Sequence, residues 1–159
     1  WGKIDMFVKG GAQWNKVPFP LLIMPAANLS YILQRETFNL INNMEFLNDR
    51  YASLDVSWDL NGKIFNRIPL LKKLKWREVL SCRGIYGSLS DKNNPEFSEG
   101  LFAFPAGSTT MERTPYVEVG VGIENILKVL RVDYVWRLTY RNLPNIDKSG
   151  LRISLHMTF

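Results

Sequence analysis

A chain of 159 residues is the size of one domain, and 46% hydrophobic with 22% charged residues suits a surface in water as well as one in lipid. The longest apolar stretch, Phe19 to Ala27, is broken by Pro20 and Pro25 and falls short of the roughly 18 residues that a membrane-spanning helix needs. The net charge of +5 comes from basic residues scattered among acidic ones, so no nucleic-acid partner is expected; lipid headgroups and internal ion pairs are the expected partners of these charges. Cys82 is the single cysteine and His156 the single histidine, which excludes an internal disulfide framework and a four-ligand zinc site of the usual kind. No metal and no cofactor is expected. The chain opens at Trp1 without an initiator methionine or a charged-then-apolar leader, so a signal peptide is expected to have been removed or to lie in a longer upstream polypeptide, and the N-terminus is read as a cut end.

In chain order, residues 1–35 hold an expected strand near Ile4 to Val8, followed by a proline-rich irregular segment whose apolar run Leu21 to Met24 has no assigned place. Phe38, Leu40, Met44 and Phe46 share one face, interrupted by Asn42, and predict a strand there. Ala52, Leu54, Val56, Trp58 and Leu60 oppose Ser53, Asp55, Ser57, Asp59 and Asn61, the period of two that marks a strand with unlike faces. Ile68 to Lys75 reads as a connection, with Lys72, Lys73 and Lys75 in water and Leu70, Leu71 and Leu74 against an interface or rim. Trp76 to Gly87 is a further expected strand of ambiguous sidedness, because Glu78 shares the face of Leu80 and Tyr86 while Arg83 shares that of Val79 and Ile85. After a Gly-, Pro-, Ser- and Asn-containing stretch from Ser88 to Arg113, alternation becomes regular. Val117, Val119, Val121 and Ile123 alternate with Glu118, Gly120, Gly122 and Glu124. Beyond a turn near Asn125 to Lys128, Leu130, Val132, Tyr134, Trp136 and Leu138 oppose Arg131, Asp133, Arg137 and Thr139. Past Arg141 to Gly150, Leu151, Ile153, Leu155, Met157 and Phe159 oppose Arg152, Ser154, His156 and Thr158. The organisation predicted is thus an upstream strand with an irregular segment over residues 1–35 and the C-terminal strands of a sheet over residues 36–159.

Alternation alone does not say which face meets water; a soluble sandwich or lipocalin-like barrel alternates too. Loop lengths decide between them. The connections run long, short and long counted back from the C-terminus, the asymmetry of outer-membrane barrels with short periplasmic turns and long external loops. Trp76, Trp136, Tyr51, Tyr140 and Phe159 are placed toward strand ends on the presumed outer face, where interfacial girdles form. Gly120 and Gly122 on the polar face suit a lumen in which large neighbours or a plug need room.

The fold class expected is therefore all-β: an antiparallel transmembrane outer-membrane barrel, of which this chain supplies the C-terminal six or seven strands. Val117, Val119, Val121, Ile123, Leu130, Val132, Tyr134, Trp136, Leu138, Leu151, Ile153, Leu155 and Met157 are its expected lipid-facing residues. Glu118, Glu124, Arg131, Asp133, Arg137, Arg152 and His156 are expected to face the lumen, with opposite-charge contacts among the first six. A one-residue slip of the last strand sends Arg152 toward lipid at about 2–4 kcal/mol, which fixes the register. Six or seven strands fall below the eight of the smallest single-chain barrels, so further strands are expected from the parent chain.

The stretch Asn61-Gly62-Lys63-Ile64-Phe65-Asn66-Arg67-Ile68-Pro69-Leu70-Leu71-Lys72-Lys73-Leu74-Lys75 resembles a Bacteroidota outer-membrane barrel family of unknown function. Leu89 to Pro95, Thr114 to Glu118, Gly122 to Ile126, Leu130 to Tyr134 and the terminal Phe159 extend the resemblance over most of residues 36–159. It implies a barrel preceded by a carboxypeptidase-regulatory-like domain that lies outside this chain, and it implies no established activity. Phe159, closing an alternating strand, resembles the signal read by the barrel-assembly machine. Arg83-Gly84-Ile85-Tyr86-Gly87 resembles the Arg-Gly-aromatic motif of the outer-membrane assembly superfamily, but only three strands are expected after it, too few for that reading.

Catalysis is not expected. His156 stands beside Ser154 and Thr158 on the polar face, but no third orienting group can be named, so it is read as an ordinary lumen position. Asp91, Glu96, Glu99 and Glu112 lack the spacing of a calcium loop. The function expected is the membrane-embedded part of a larger envelope protein or complex in the bacterial outer membrane. Its expected partners are outer-membrane lipid, the parent chain's remaining strands, the assembly machine and other envelope proteins. An assembly or translocation barrel, a soluble barrel binding module and a barrel hydrolase using His156 are the alternatives.

Overall fold

The computed structural model describes residues 2–155. Six antiparallel strands follow one another in sequence and in space: β1 (Lys3–Ala12), β2 (Arg50–Asp59), β3 (Arg77–Ser88), β4 (Tyr116–Ile126), β5 (Leu130–Arg137) and β6 (Ser149–Leu155). Each pairs with the next, leaving β1 and β6 as the edges of an unclosed sheet. Among the described residues, apart from short 3₁₀ turns, helix is confined to Pro69–Lys72 within the β2–β3 connection. Among the described residues no helix is long and apolar enough to cross a membrane, which says nothing about strands.

Register turns the alternation of each strand into continuous rows. Met6 pairs with Val56, Val56 with Cys82, Cys82 with Val119 and Val119 with Trp136. The neighbouring row runs Ile4, Trp58, Leu80, Val121, Tyr134 and Leu151. Through these rows one face is apolar from edge to edge. Shifted by one residue, the rows read Asp55, Arg83, Glu118 and Arg137, and beside them Gly122, Asp133 and Arg152.

One end of the sheet carries the connections 13–49, 89–115 and 138–148, which include the two longest, and the other end carries 60–76 and the shortest, 127–129; 60–76 is nevertheless longer than 138–148. Between β4 and β5 the chain reverses through left-handed backbone at Asn125, Leu127 and Lys128, with Lys128 N–H donating to Asn125 O. The longest connection folds back over the polar face instead of projecting from the sheet. Phe38, Ile41 and Phe46 from it form the core with Met111, Ile85 of β3 and Tyr116 of β4.

The structure departs from the sequence reading in this region. No strand forms over residues 36–46. Glu36 and Met44 have left-handed backbone, which breaks an extended run, and the Asn39 and Leu40 N–H groups donate to a side chain of β4 instead of a neighbouring strand. Phe38, Leu40 and Phe46 are buried while Met44 is exposed. The apparent period of two is thus coincidental, and the boundary drawn at residue 36 falls inside one continuous connection. Tyr51 and Tyr140 also depart from their expected place in an outer girdle. Tyr51 pairs with Gly87 in the inner row, and Tyr140 meets Phe46 edge to face, ring centres 5.0 Å apart, with its hydroxyl donating to Thr114 O at 2.6 Å.

The sidedness of β3 is resolved by its surroundings. Val79 and Ile85 are buried and Leu80 and Tyr86 exposed, so Arg83 lies on the polar face. Glu78 has the parity of the apolar face, yet its carboxylate turns into the β2–β3 connection and accepts the N–H groups of Ile64 (3.1 Å) and Phe65. Those turn donors would otherwise lack partners, which is why a carboxylate is accommodated there.

Candidate functional site

Sequence-predicted site residues divide cleanly between the two faces. Glu118, Glu124, Asp133, Arg137 and Arg152 are buried and Arg131 is half-buried. On the apolar face Val121, Tyr134, Trp136, Leu138, Leu151, Ile153 and Leu155 are exposed, and Val117, Val119, Ile123, Leu130 and Val132 half-buried among neighbours. His156, Met157 and Phe159 lie outside the described residues.

The covered charges are fixed by the connection above them. Glu118 is 1% exposed and accepts from Asn39 N–H and Leu40 N–H (3.0 and 3.2 Å), Asn39 Nδ2 (3.0 Å) and Tyr116 Oη (3.0 Å). Arg83, itself paired with Asp55 at 2.9 Å, approaches Glu118 to 3.8 Å and donates to Thr37 O at 2.8 Å. Arg137, 1% exposed, donates to both carboxylate oxygens of Glu45, to Leu40 O (3.1 Å) and to Thr139 O (3.1 Å). Its guanidinium lies 4.9 Å from the Tyr116 ring centre. Arg152 donates to Asn39 O and to Leu151 O. Residues 37–45 are therefore clasped, through the backbone of Thr37, Asn39 and Leu40 and the side chains of Asn39 and Glu45, by side chains of β3, β4, β5 and β6. Removing one member of such a buried set costs about 3–5 kcal/mol, since its partner keeps its charge without compensation.

Nearer the short turn the charges serve one another. Arg131 makes a bidentate contact with Asp133, 2.7 Å for each bond, and Glu124 lies 3.9 Å from both Arg131 and Arg77. Opposite-charge contact within the expected six is thus present in Arg131, Asp133 and Glu124. Arg137, Arg152 and Glu118 instead take partners outside that set. Gly122 and Gly120 supply room, as expected: a Cβ at Gly122 would stand 2.4 Å from Asp133 Oδ1, and one at Gly120 2.6 Å from Ser81 Oγ.

Glu45 and Asn39 were missed by sequence reasoning because they sit in an aperiodic segment, and period two is blind to such residues. A signal was nevertheless present. Glu45 lies between Met44 and Phe46 within an otherwise apolar and amide-bearing run from Phe38 to Asn48, and a carboxylate in such company needs a cationic partner from elsewhere. A second tether lies beside it. Asp49 accepts from Ser90 N–H (3.0 Å), Ser90 Oγ and Asn93 Nδ2 (3.1 Å), and Asn93 Oδ1 accepts Val17 N–H (2.8 Å). Burial raises the Asp49 pKa, but the Ser90 and Asn93 hydrogen bonds outweigh it and hold the carboxyl below its ordinary value.

Among the described residues no three of His, Cys, Asp and Glu are grouped to hold a metal ion. Residues 27–104 match the C-terminal domain of a family of unknown function, DUF5686. The match begins within the inward-folded connection, takes in β2, the Asn61 to Lys75 stretch and β3, and ends before β4. No curated protein and no solved structure matches the chain.

Proposed function

We propose that this chain is a section of the wall of a bacterial outer-membrane β-barrel, and that it serves as the membrane-embedded part of a larger envelope protein. The observation that carries the reading is the inverted distribution of polarity. A sheet with one face in water buries its apolar side; here the carboxylates and guanidiniums of β4 to β6 are covered while valine, leucine, isoleucine and tryptophan lie exposed. An exposed apolar band across six strands is far larger than a water-soluble surface tolerates, and hydrocarbon is the solvent that favours it.

Strands of ten to twelve residues in β1 to β4 match the roughly 9–11 needed to cross the hydrocarbon at a tilt. The end with the two longest connections would lie outside the cell, and the end with the tight β4–β5 turn in the periplasm. The edge of β1, and that of β6 beyond the bonds Ile153 makes with Tyr31 and Leu33, call for neighbouring strands, because backbone groups left open in lipid cost several kcal/mol each. Further strands of the parent chain fill that role, the barrel-assembly machine inserts them, and lipid together with other envelope proteins surrounds the finished wall. On this reading residues 13–49 are an inward-folded external loop that plugs the lumen, so anchoring suits this part of the wall better than an open pore.

The test is fractionation of the full-length protein. It should partition with outer membranes, require detergent for extraction, and migrate faster on gels before boiling than after. Release into the aqueous fraction without detergent would contradict the proposal.

A further inference from the structure

Four arginines of the polar face carry charge under cover, and three of them have carboxylates of their own: Arg83 has Asp55, Arg131 has Asp133 and Arg137 has Glu45. Arg152 differs. It is 7% exposed, its contacts are the neutral carbonyl oxygens of Asn39 and Leu151, and its Nε has no acceptor. Its cross-strand neighbour Asp133 is occupied by both bonds from Arg131. Among the described residues no carboxylate comes within 4.0 Å of Arg152. A guanidinium buried without a counter-charge is costly, and an unsatisfied N–H adds to that cost.

Arg152 lines a cavity of about 160 Å³ between the inward-folded connection and the β5–β6 loop. Its other polar walls are Asn28, Ser30, Tyr31, Asn42 and Asp147. The floor is built, since Asn28 and Asn39 are both buried, bonded to each other at 3.2 Å, and held by Ile32 O and Glu118. The mouth opens beside the exposed Asp147 and the exposed ring of Tyr31, at the end of the sheet that carries the long connections.

We infer that this cavity binds a small polyhydroxylated carboxylate, of the uronic-acid class of sugars. The carboxylate supplies, from the cavity, the counter-charge that the Arg152 guanidinium lacks. Hydroxyl groups match the walls of Asn42, whose amide can donate and accept, and Asp147, whose carboxylate accepts their hydrogens. An apolar sugar face covers the Tyr31 ring. Asp147 at the mouth disfavours a second negative charge, which selects a monocarboxylate over a phosphate dianion. This inference rests on the cavity alone and holds whether or not the apolar face meets lipid.

The test is titration calorimetry of the full-length protein in detergent with glucuronate, glucose and inorganic phosphate. Glucuronate should bind saturably, with glucose and phosphate at least about tenfold weaker, as expected for loss or mismatch of one charge-assisted contact. Arg152→Gln should lower glucuronate affinity by about tenfold or more. Because Arg152 also holds Asn39, a second variant, Leu29→Trp, fills the mouth from an exposed position and should abolish binding with the melting temperature unchanged. Absence of saturable glucuronate binding, equal binding of glucose or phosphate, or full affinity in a folded variant of either kind would overturn the inference.

Discussion

The polar face is organised differently at its two ends. Near the short β4–β5 turn, Arg131, Asp133, Glu124 and Arg77 neutralise one another within the sheet, from positions that pairing and alternation bring together. Toward the long connections, Glu118 and Arg137 are matched by atoms of residues 37–45, distant in sequence, and the same segment reaches Arg152, which stands level with Asp133. The first arrangement needs only the strands. The second shows that the inward-folded connection is an integral layer of the fold, because without it buried charges lose their partners.

The difference can be broken most severely at Arg137. Arg137→Ala leaves the Glu45 carboxylate, 3% exposed, without its cation and should cost about 3–5 kcal/mol. Limited proteolysis should then cut residues 13–49 rapidly while the sheet stays intact; an unchanged digestion pattern would show that the clasp does not hold the connection. On the opposite face, Leu151→Arg should cost about 2–4 kcal/mol in membrane-embedded protein if hydrocarbon surrounds it. A cost near zero in a bilayer unfolding titration would count against that face lying in lipid.

Smaller effects sharpen the comparison at the self-paired end. Asp133→Asn removes the charge from a pair whose Arg131 side chain remains 17% exposed, and should cost about 1.5 kcal/mol with residues 13–49 as protected as before. New proteolytic cuts in that connection would mean that the two ends are coupled. Mildest of all is acidification at Asp49. Its carboxyl is held below the ordinary value, so its contribution is fully present above about pH 4, the unfolded carboxyl range, and is lost as the pH falls through the lower folded value. Protection of the Ser90 and Asn93 amides against hydrogen exchange should decline across that window, and Asp49→Asn should remove the decline.

Legibility follows the same division. Strands β4, β5 and β6 were readable from strict alternation, and β2 from a slightly weaker form, since period two is local and every residue of a two-faced strand reports it. β1 was seen only as Ile4 to Val8, because Gly10 and Gly11 give its last turns no pattern. β3 was ambiguous because Glu78 answers to turn donors and Arg83 to the polar face, two demands that period two cannot separate. Residues 13–49 could not be read. Their structure is set by Glu118, Arg137 and Arg152 reaching from far along the chain, and no local propensity encodes such a contact. Of the candidate site, Glu118, Glu124, Arg131, Asp133, Arg137 and Arg152 were placed on the polar face by alternation; Arg77, Arg83, Glu45, Asn39 and Asn28 were not.

The most direct measurement uses Cys82, exposed on the apolar face between Val56 and Val119 in the paired rows. A nitroxide attached there in the full-length protein, with any other cysteine replaced and the protein embedded in a bilayer, reports its solvent through collisional relaxation. High accessibility to oxygen with little to a water-soluble nickel chelate is the result predicted for a lipid-facing wall. Strong relaxation by the nickel chelate, equal to that of a label at the exposed Phe102 of the 89–115 connection, would contradict it.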